Sequence, residues 1–137
     1  MRRLSTLFLL PAIAPAFAAS LDIEASGVRN TEGQVKFMLF DKAEGFRKEA
    51  ASREVLAVPA QTGALQAVFK DLPPGRYAVI AYHDENANGR LDLRFGMIPA
   101  EGYGLSNNPE VMGPPSFEHA AFELGEGGRR IEIRLDY

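Results

Sequence analysis

The sequence contains no cysteine and only two histidines among its 137 residues. A chain without cysteine has no disulfide bonds, no thiolate metal site and no cysteine nucleophile. It is still long enough to form one domain with a real hydrophobic core, so it does not need disulfides for stability. The absence removes one class of active site without weakening the expectation of a stable fold.

The chain also lacks an excess of basic residues. Its 15 lysines and arginines are outnumbered by 18 aspartates and glutamates, which gives a net charge of −3. An acidic domain is a poor candidate for binding nucleic acids or anionic lipids, because their phosphates attract clustered positive charge. We therefore expect no nucleic-acid partner.

Only one long apolar run is present, and it lies at the start of the chain. Residues 4–14 follow Arg2-Arg3 and precede Ala16-Phe17-Ala18, which is a small-x-small cleavage pattern. The run is too short to span a bilayer. These features predict a signal peptide that is cleaved after Ala18 or Ala19, and the alternative is an uncleaved amphipathic anchor.

Removal of a signal peptide at 1–19 leaves a single domain at 20–137 with no transmembrane segment. Export without cysteine fits a bacterial envelope. We expect a periplasmic or secreted protein whose partner is an unknown envelope protein or a small ligand.

Most of this domain shows the two-residue alternation of half-buried β-strands, separated by turn residues. The predicted strands lie at 21–25, 34–40, 54–58, 64–69, 76–83, 117–124 and 130–137. Seven strands with regular turns predict an all-β fold, an antiparallel β-sandwich. At most one short helix is expected, near 42–50, and 84–116 is predicted to be a long irregular loop.

The segment HDENANGRLD at 83–92 carries hard oxygen ligands at the spacing of a calcium loop. If Asp84 takes the first position, the third, fifth and ninth positions are Asn86, Asn88 and Asp92, and Arg90 contributes its backbone carbonyl. The twelfth position, normally a bidentate glutamate, is Phe95. We therefore predict weak Ca²⁺ binding, with a Kd of about 10⁻⁴ to 10⁻³ M.

A metal-free interpretation of the same segment remains open. Asn and Asp side chains accept hydrogen bonds from backbone N–H groups a few residues further on, and Asn88-Gly89 favours a tight turn. In that case the segment is a hydrogen-bonded turn and the protein needs no cofactor.

The two histidines suggest a second kind of site. If the strands that carry His83 and His119 are neighbours, the two imidazoles and a carboxylate could bind zinc or copper and support a metal-dependent hydrolase. The alternative is two unconnected histidines. Ser106 and Ser116 lack the sequence context of a serine nucleophile.

Many apolar residues follow the acidic loop, between positions 95 and 105. They either line a groove or cover one end of the sandwich. A possible ligand surface on this side comprises His83, Glu101, Tyr103, Asn107 and His119.

Four segments carry a family resemblance, and they follow one another in order: DLPPGRYAV at 71–79, HDENANGRLD at 83–92, PAEGYGLSNN at 99–108 and PSFEHA at 115–120. Together they resemble the exported bacterial family called domain of unknown function 2141, over nearly all of residues 21–137. No activity is implied by this resemblance. The first segment is also similar to the turn of transthyretin-like and carboxypeptidase-regulatory-like sandwiches, which are mostly non-catalytic accessory modules.

The sequence and these resemblances predict an immunoglobulin-like or transthyretin-like sandwich. We expect a non-catalytic binding or accessory module of the envelope, with a loop that calcium stabilises. The alternatives are the hydrolase and a structural domain that pairs with a partner through an edge strand.

Overall fold

The computed structural model describes residues 5–9, 11, 19–90, 93–94, 98–99 and 101–137. Regular structure comprises ten strands and two short helical turns. In chain order these elements are β1 (Ala19–Val28), β2 (Gln34–Phe40), a 3₁₀ turn (Glu49–Ala51), β3 (Glu54–Pro59), β4 (Gly63–Leu72), β5 (Gly75–Asp84), β6 (Leu93–Arg94), β7 (Ile98–Pro99), β8 (Tyr103–Leu105), α1 (Phe117–Ala120), β9 (Phe122–Leu124) and β10 (Arg129–Arg134).

Eight of these strands form two facing sheets, which confirms the predicted all-β sandwich. The first sheet has the order β10-β1-β4, and the second has the order β3-β2-β5-β8. Strand β9 pairs with the first residues of β5, on the same edge that β8 occupies further along. Strands β6 and β7 form a separate hairpin.

The main core lies between the two sheets, where the alternation seen in the sequence buries one face of each strand. Strand β5 is buried on both faces. Its residues Tyr77, Val79 and Ala81 face the first sheet, and Ala78 and Ile80 face the opposite way.

The outer face of the second sheet is covered by irregular segments of the chain. Phe46 packs edge-on against Phe40 and Phe117, with ring centroids 5.0 and 5.9 Å apart. The region near 42–50 contributes Phe46 to this contact. Its helical structure is the 3₁₀ turn alone, which agrees with the prediction of at most one short helix there.

Three details differ from the sequence-based expectation. Strand β1 pairs with β10 in parallel, so the sheets are not wholly antiparallel. The predicted strand at 117–124 begins as α1, because Ser116 and His119 form a capping box at its start. The segment 84–116 is less irregular than predicted, since it contains β6, β7 and β8.

A seam between β8 and β10 joins the two sheets on one side of the sandwich. Tyr103 and Asp136 exchange two backbone hydrogen bonds of 3.0 Å each. Gly104 permits this approach, because a Cβ there would overlap the carbonyl oxygen of Arg134. Neither helix in the described part of the chain has the length and apolar character needed to cross a membrane.

Candidate functional site at the Asp84 end of the sandwich

Asp84 ends β5 with a fully buried side chain. Its Oδ1 accepts a hydrogen bond from the Asn88 N–H at 3.1 Å, and its Oδ2 accepts one from the Gly89 N–H at 2.8 Å. The chain can turn back on itself because Ala87 and Gly89 have φ values of 54° and 80°. The carboxylate therefore organises the loop that follows it.

The two asparagines of the predicted calcium loop also accept backbone hydrogen bonds. Asn86 Oδ1 accepts from the Asn88 N–H at 3.2 Å, and Asn88 Oδ1 accepts from the Arg90 N–H at 3.0 Å. These are the side-chain turns of the metal-free interpretation. The fifth predicted ligand residue, Asp92, lies outside the described residues, as does Phe95.

These hydrogen bonds do not use up the oxygen atoms. Each carboxylate or amide oxygen has two lone pairs, so one accepted N–H leaves a site on the same atom. The donor set of carboxylate, amide and carbonyl oxygens suits a hard cation such as Ca²⁺. Within the described ranges, however, no three His, Cys, Asp or Glu side chains are grouped to hold a metal ion.

Glu101 follows the loop in the sequence, and its side chain lies beside the start of the loop. Its side chain is buried, and Oε2 accepts a hydrogen bond from the Glu85 N–H at 2.8 Å. The sequence suggested Glu101 as a member of the possible ligand surface. The fold brings this second carboxylate beside the residue that follows Asp84.

The buried ammonium group of Lys36 donates a hydrogen bond to the backbone of the Asp84 loop. Lys36 Nζ donates to the Gly89 carbonyl at 3.0 Å and to Glu49 Oε1 at 2.6 Å, and the Tyr82 hydroxyl donates to the same carbonyl at 3.1 Å. Burial lowers the pKa of Lys36, but its hydrogen bonds to Glu49 and Tyr82 raise it more, so the net pKa lies above the usual value. The group stays charged, and its charge opposes tight cation binding nearby.

His83 is fully buried, and both of its ring nitrogens are occupied. Nε2 lies 2.6 Å from the Glu32 carbonyl oxygen, which can only accept, so Nε2 carries the proton. Nδ1 lies 2.7 Å from the Tyr137 hydroxyl, within hydrogen-bond distance. The imidazole is a structural link between three parts of the chain.

Tyr137 is a site residue that the sequence did not predict. Its ring stacks under the Arg29 guanidinium at 4.5 Å, and its hydroxyl accepts the Arg29 backbone N–H at 3.1 Å. Arg29 also binds Glu85 through two hydrogen bonds, of 2.5 and 2.9 Å, and this contact lowers the pKa of Glu85. No local pattern could reveal these contacts, because the partners are far apart in the sequence.

The structure does not bring His119 to His83. His119 lies in α1, where its Nδ1 accepts the Ser116 N–H at 3.1 Å, and the neighbouring Glu118 binds Arg76 near the start of β5. His83 lies at the opposite end of β5. The geometry required for the predicted zinc or copper site is therefore missing.

Ser106 and Asn107 hold the chain beside β5 and α1. Ser106 is fully buried, accepts the Val79 N–H at 2.9 Å and donates to the Ala120 carbonyl at 2.5 Å. Asn107 Nδ2 donates to the Ala121 carbonyl at 2.8 Å. Ser106 thus fills the gap that β8 and β9 leave along the edge of β5.

Tyr103 alone among the predicted ligand-surface residues lines an open groove. The groove has a volume of about 420 Å³ and runs along the seam between β8 and β10. Asn108 fixes one wall, because its amide donates to the Glu132 carbonyl at 3.0 Å and accepts the Arg134 N–H at 2.8 Å.

The comparisons with known proteins agree with the family resemblance. A family model described as an uncharacterized protein conserved in bacteria (DUF2141) matches residues 23–132. Comparisons with curated proteins and with solved structures found no match. The similarity to transthyretin-like sandwiches therefore stays a prediction, whereas the family match extends over most of the domain. The chain belongs to the bacterial family of uncharacterized proteins called DUF2141.

Proposed function

We propose that this protein is an exported, non-catalytic binding or accessory module of the bacterial envelope, and that a hard cation such as Ca²⁺ stabilises its Asp84 loop. The observation that carries the proposal is the convergence of Asp84 and Glu101. Both carboxylates are buried, and both accept backbone N–H groups of the same loop. When bound, the cation would supply positive charge between oxygen atoms that otherwise repel one another.

The reactive side chains of the described chain support binding over catalysis. The His83 nitrogens and the Ser106 hydroxyl are engaged in buried hydrogen bonds, and His119 caps a helix. A general base or nucleophile needs a lone pair or proton that faces substrate. Their positions favour structural roles.

Export is supported by the contrast between the start of the chain and the domain. Residues 5–9 have no regular secondary structure, and Leu7, Phe8 and Leu9 are exposed. Ala19 begins β1, is buried and pairs with Leu72. Cleavage after Ala18 would keep β1 whole, so we expect a mature protein that begins at Ala19, as intact-mass spectrometry of the periplasmic fraction would measure.

A calcium titration of the purified mature domain tests the cation. With a Kd near 1 mM, about 10 mM Ca²⁺ would stabilise the fold by about 1.4 kcal/mol and raise the Tm by roughly 4–8 °C. Asp84→Asn should abolish the increase. Asp22→Asn is the matched control, because Asp22 lies on the exposed face of β1.

Two results would contradict the proposal that a cation stabilises the Asp84 loop. One is a wild-type Tm that calcium leaves unchanged. The other is an equal increase in the wild type and Asp84→Asn, since calcium would then act away from the loop. In either case the metal-free turn would account for Asp84, Asn86 and Asn88.

A structural partner role is a second candidate, favoured by the edge of β4. The order β10-β1-β4 leaves this ten-residue strand without a described neighbour on its outer side, and Val68 there is 39% exposed. An extended segment of another envelope protein could add to such an edge. Val68→Lys should abolish co-purification of a stoichiometric partner without unfolding the domain, because a charged side chain at this exposed position opposes the addition of another strand at the edge.

A further inference from the structure

The groove between β8 and β10 has rigid walls. The two backbone hydrogen bonds between Tyr103 and Asp136 close its floor, and Gly104 allows the strands to approach. Asn107 and Asn108 have φ values of 69° and 44°, a conformation that turns the Asn108 amide onto β10. The groove is thus formed before any ligand arrives, which lowers the entropic cost of binding.

Charges of both signs line this groove. Its lining residues are Tyr103, Gly104, Leu105, Asn108, Pro109, Glu110, Arg134 and Asp136. The Arg134 guanidinium and the Glu110 and Asp136 carboxylates are exposed, and none of them forms an ion pair with another residue of the described ranges.

Arg134 differs in this respect from four other arginines, although Arg47 and Arg129 also form no ion pair within the described ranges. Arg29, Arg53, Arg76 and Arg130 each bind a carboxylate of the same chain. Arg134 lies on the same face of β10 as Arg130 and is one of the residues that line the groove. Its planar donors suit a carboxylate that comes from outside the protein.

We propose that the groove binds a small zwitterion, an amino acid or short peptide with free termini. Arg134 would bind the ligand carboxylate, Asp136 and Glu110 would bind its ammonium group, and the half-buried Tyr103 ring would pack against its carbon atoms. Arg134 and Asp136 are two residues apart along an extended chain, so their Cα atoms are separated by roughly 6.6 Å, a span comparable to that between the termini of a dipeptide.

The charge pattern selects this class over neutral saccharides. A neutral ligand gains little from charges of opposite sign in one groove, whereas a zwitterion pairs with both. The excess of carboxylates favours a ligand with a second ammonium group. The inference rests on the proposed binding role and is independent of the calcium loop.

The experiment follows backbone amide shifts of the ¹⁵N-labelled mature domain by NMR. The probe is the dipeptide Ala-Lys with free termini, for which we expect saturable shifts at residues 103–105 and 134–136 and a Kd on the order of 1 mM. The comparison ligands are N-acetyl-Ala-Lys-amide, which lacks charged termini, and maltose.

The variants separate the two ends of the ligand. Arg134→Gln and Asp136→Asn should each weaken Ala-Lys binding about ten-fold, because each removes one charge-assisted contact. Arg130→Gln is the matched control, since Arg130 lies on the same strand and pairs with Glu24 outside the groove. It should change the Kd less than two-fold.

Three results would overturn the inference: no saturable shift with Ala-Lys, equal affinity for the blocked dipeptide, or tighter binding of maltose. None of them requires a variant, so a folding defect cannot hide the answer. Measurements with and without calcium distinguish the two proposals. If Ala-Lys does not bind but calcium still raises the Tm, the proposal of a zwitterionic ligand is wrong and the proposal of a cation at the Asp84 loop stands.

Discussion

Two groups of polar side chains in this molecule differ in what surrounds them. The buried group comprises Lys36, His83, Asp84, Glu101 and Ser106, and no buried side-chain nitrogen or oxygen among the described residues lacks a hydrogen-bond partner. The groove group comprises Arg134, Asp136 and Glu110, whose charges face solvent along a rigid seam. His83, Asp84, Glu101 and Ser106 of the first group were considered as site residues in the sequence, whereas Lys36 and the whole second group were not.

The difference shows that burial decides whether a polar side chain stabilises the fold or is available to a ligand. A buried polar group must find partners within the protein, because an unsatisfied one costs about 1–3 kcal/mol. Its partners then account for its presence. An exposed charge on a fixed backbone carries no such requirement, so its geometry remains available for a ligand. We therefore expect substitutions in the first group to change stability and those in the second to change recognition.

Gly104→Ala should have the largest effect, because Gly104 lies where the groove meets the core. Its Cβ would overlap the Arg134 carbonyl and lie 2.8 Å from Ile133 Cγ2. We expect the free energy of unfolding in urea to fall by about 3 kcal/mol as β8 separates from β10. Gly125→Ala is the control, because a Cβ there would meet no atom within 4 Å. Equal losses of unfolding free energy in the two variants would contradict the close contact of β8 with β10 at Gly104.

Ser106→Ala should come next, with a loss of about 2 kcal/mol in the same measurement. The change leaves the buried Val79 N–H and Ala120 carbonyl without their side-chain partner. Ser26→Ala, at a partly exposed serine that donates to Glu132, should cost much less. A fully stable Ser106→Ala protein would show that water or a shifted strand can take over these hydrogen bonds.

Asp84→Asn should lower the stability in calcium-free buffer by about 1–2 kcal/mol, because the amide keeps only one acceptor for the Asn88 and Gly89 N–H groups. Chemical denaturation in the presence of a chelator measures the loss. The same experiment on Asp22→Asn should show almost no change. Equal stability of the two variants would mean that Asp84 is not the organising acceptor of its loop.

Acid should reveal a smaller effect at Glu85, whose pKa is lowered by the hydrogen bonds from Arg29. A lowered carboxyl pKa stabilises the fold above the unfolded value of about 4.3 and loses this effect as the pH falls through the folded value. Since Arg29 is half exposed, solvent screening keeps this contribution small. Arg29→Gln should therefore differ less from the wild type at pH 3 than at pH 7, by urea denaturation, whereas Lys42→Gln should show no such convergence.

Arg134→Gln should have the smallest effect on stability, within about 0.5 kcal/mol, since surface substitutions away from special features rarely exceed this. A thermal melt measures it. A larger loss of stability would show that Arg134 supports the fold. The distinction between buried residues that affect stability and groove residues that affect recognition would then be less sharp.

The sequence predicted the features that depend on neighbouring residues. The faces of β5 follow from alternation, and the turns at Asp84 and Asn88 follow from side chains that reach only a few residues ahead. These interactions are encoded within short windows, which pattern analysis can use.

Contacts between distant segments could not be predicted in this way. The link from His83 to Tyr137 and the parallel pairing of β1 with β10 depend on the complete topology. The start of α1 was also missed, although Ser116 followed three residues later by a polar side chain is a helix-start signal. There the apolar alternation of a strand outweighed the cap in the sequence interpretation.

The pairing of β1 has a consequence for how the chain folds. Leu21 lies opposite Arg129, so the first strand completes its hydrogen bonding only after almost the whole domain has been made. Contacts of such long sequence separation slow folding, because a large loop must close before they form. Under the proposed export as an extended chain, such slow folding would be an advantage, because β1 would stay unpaired with β10 until the end of the domain has been made.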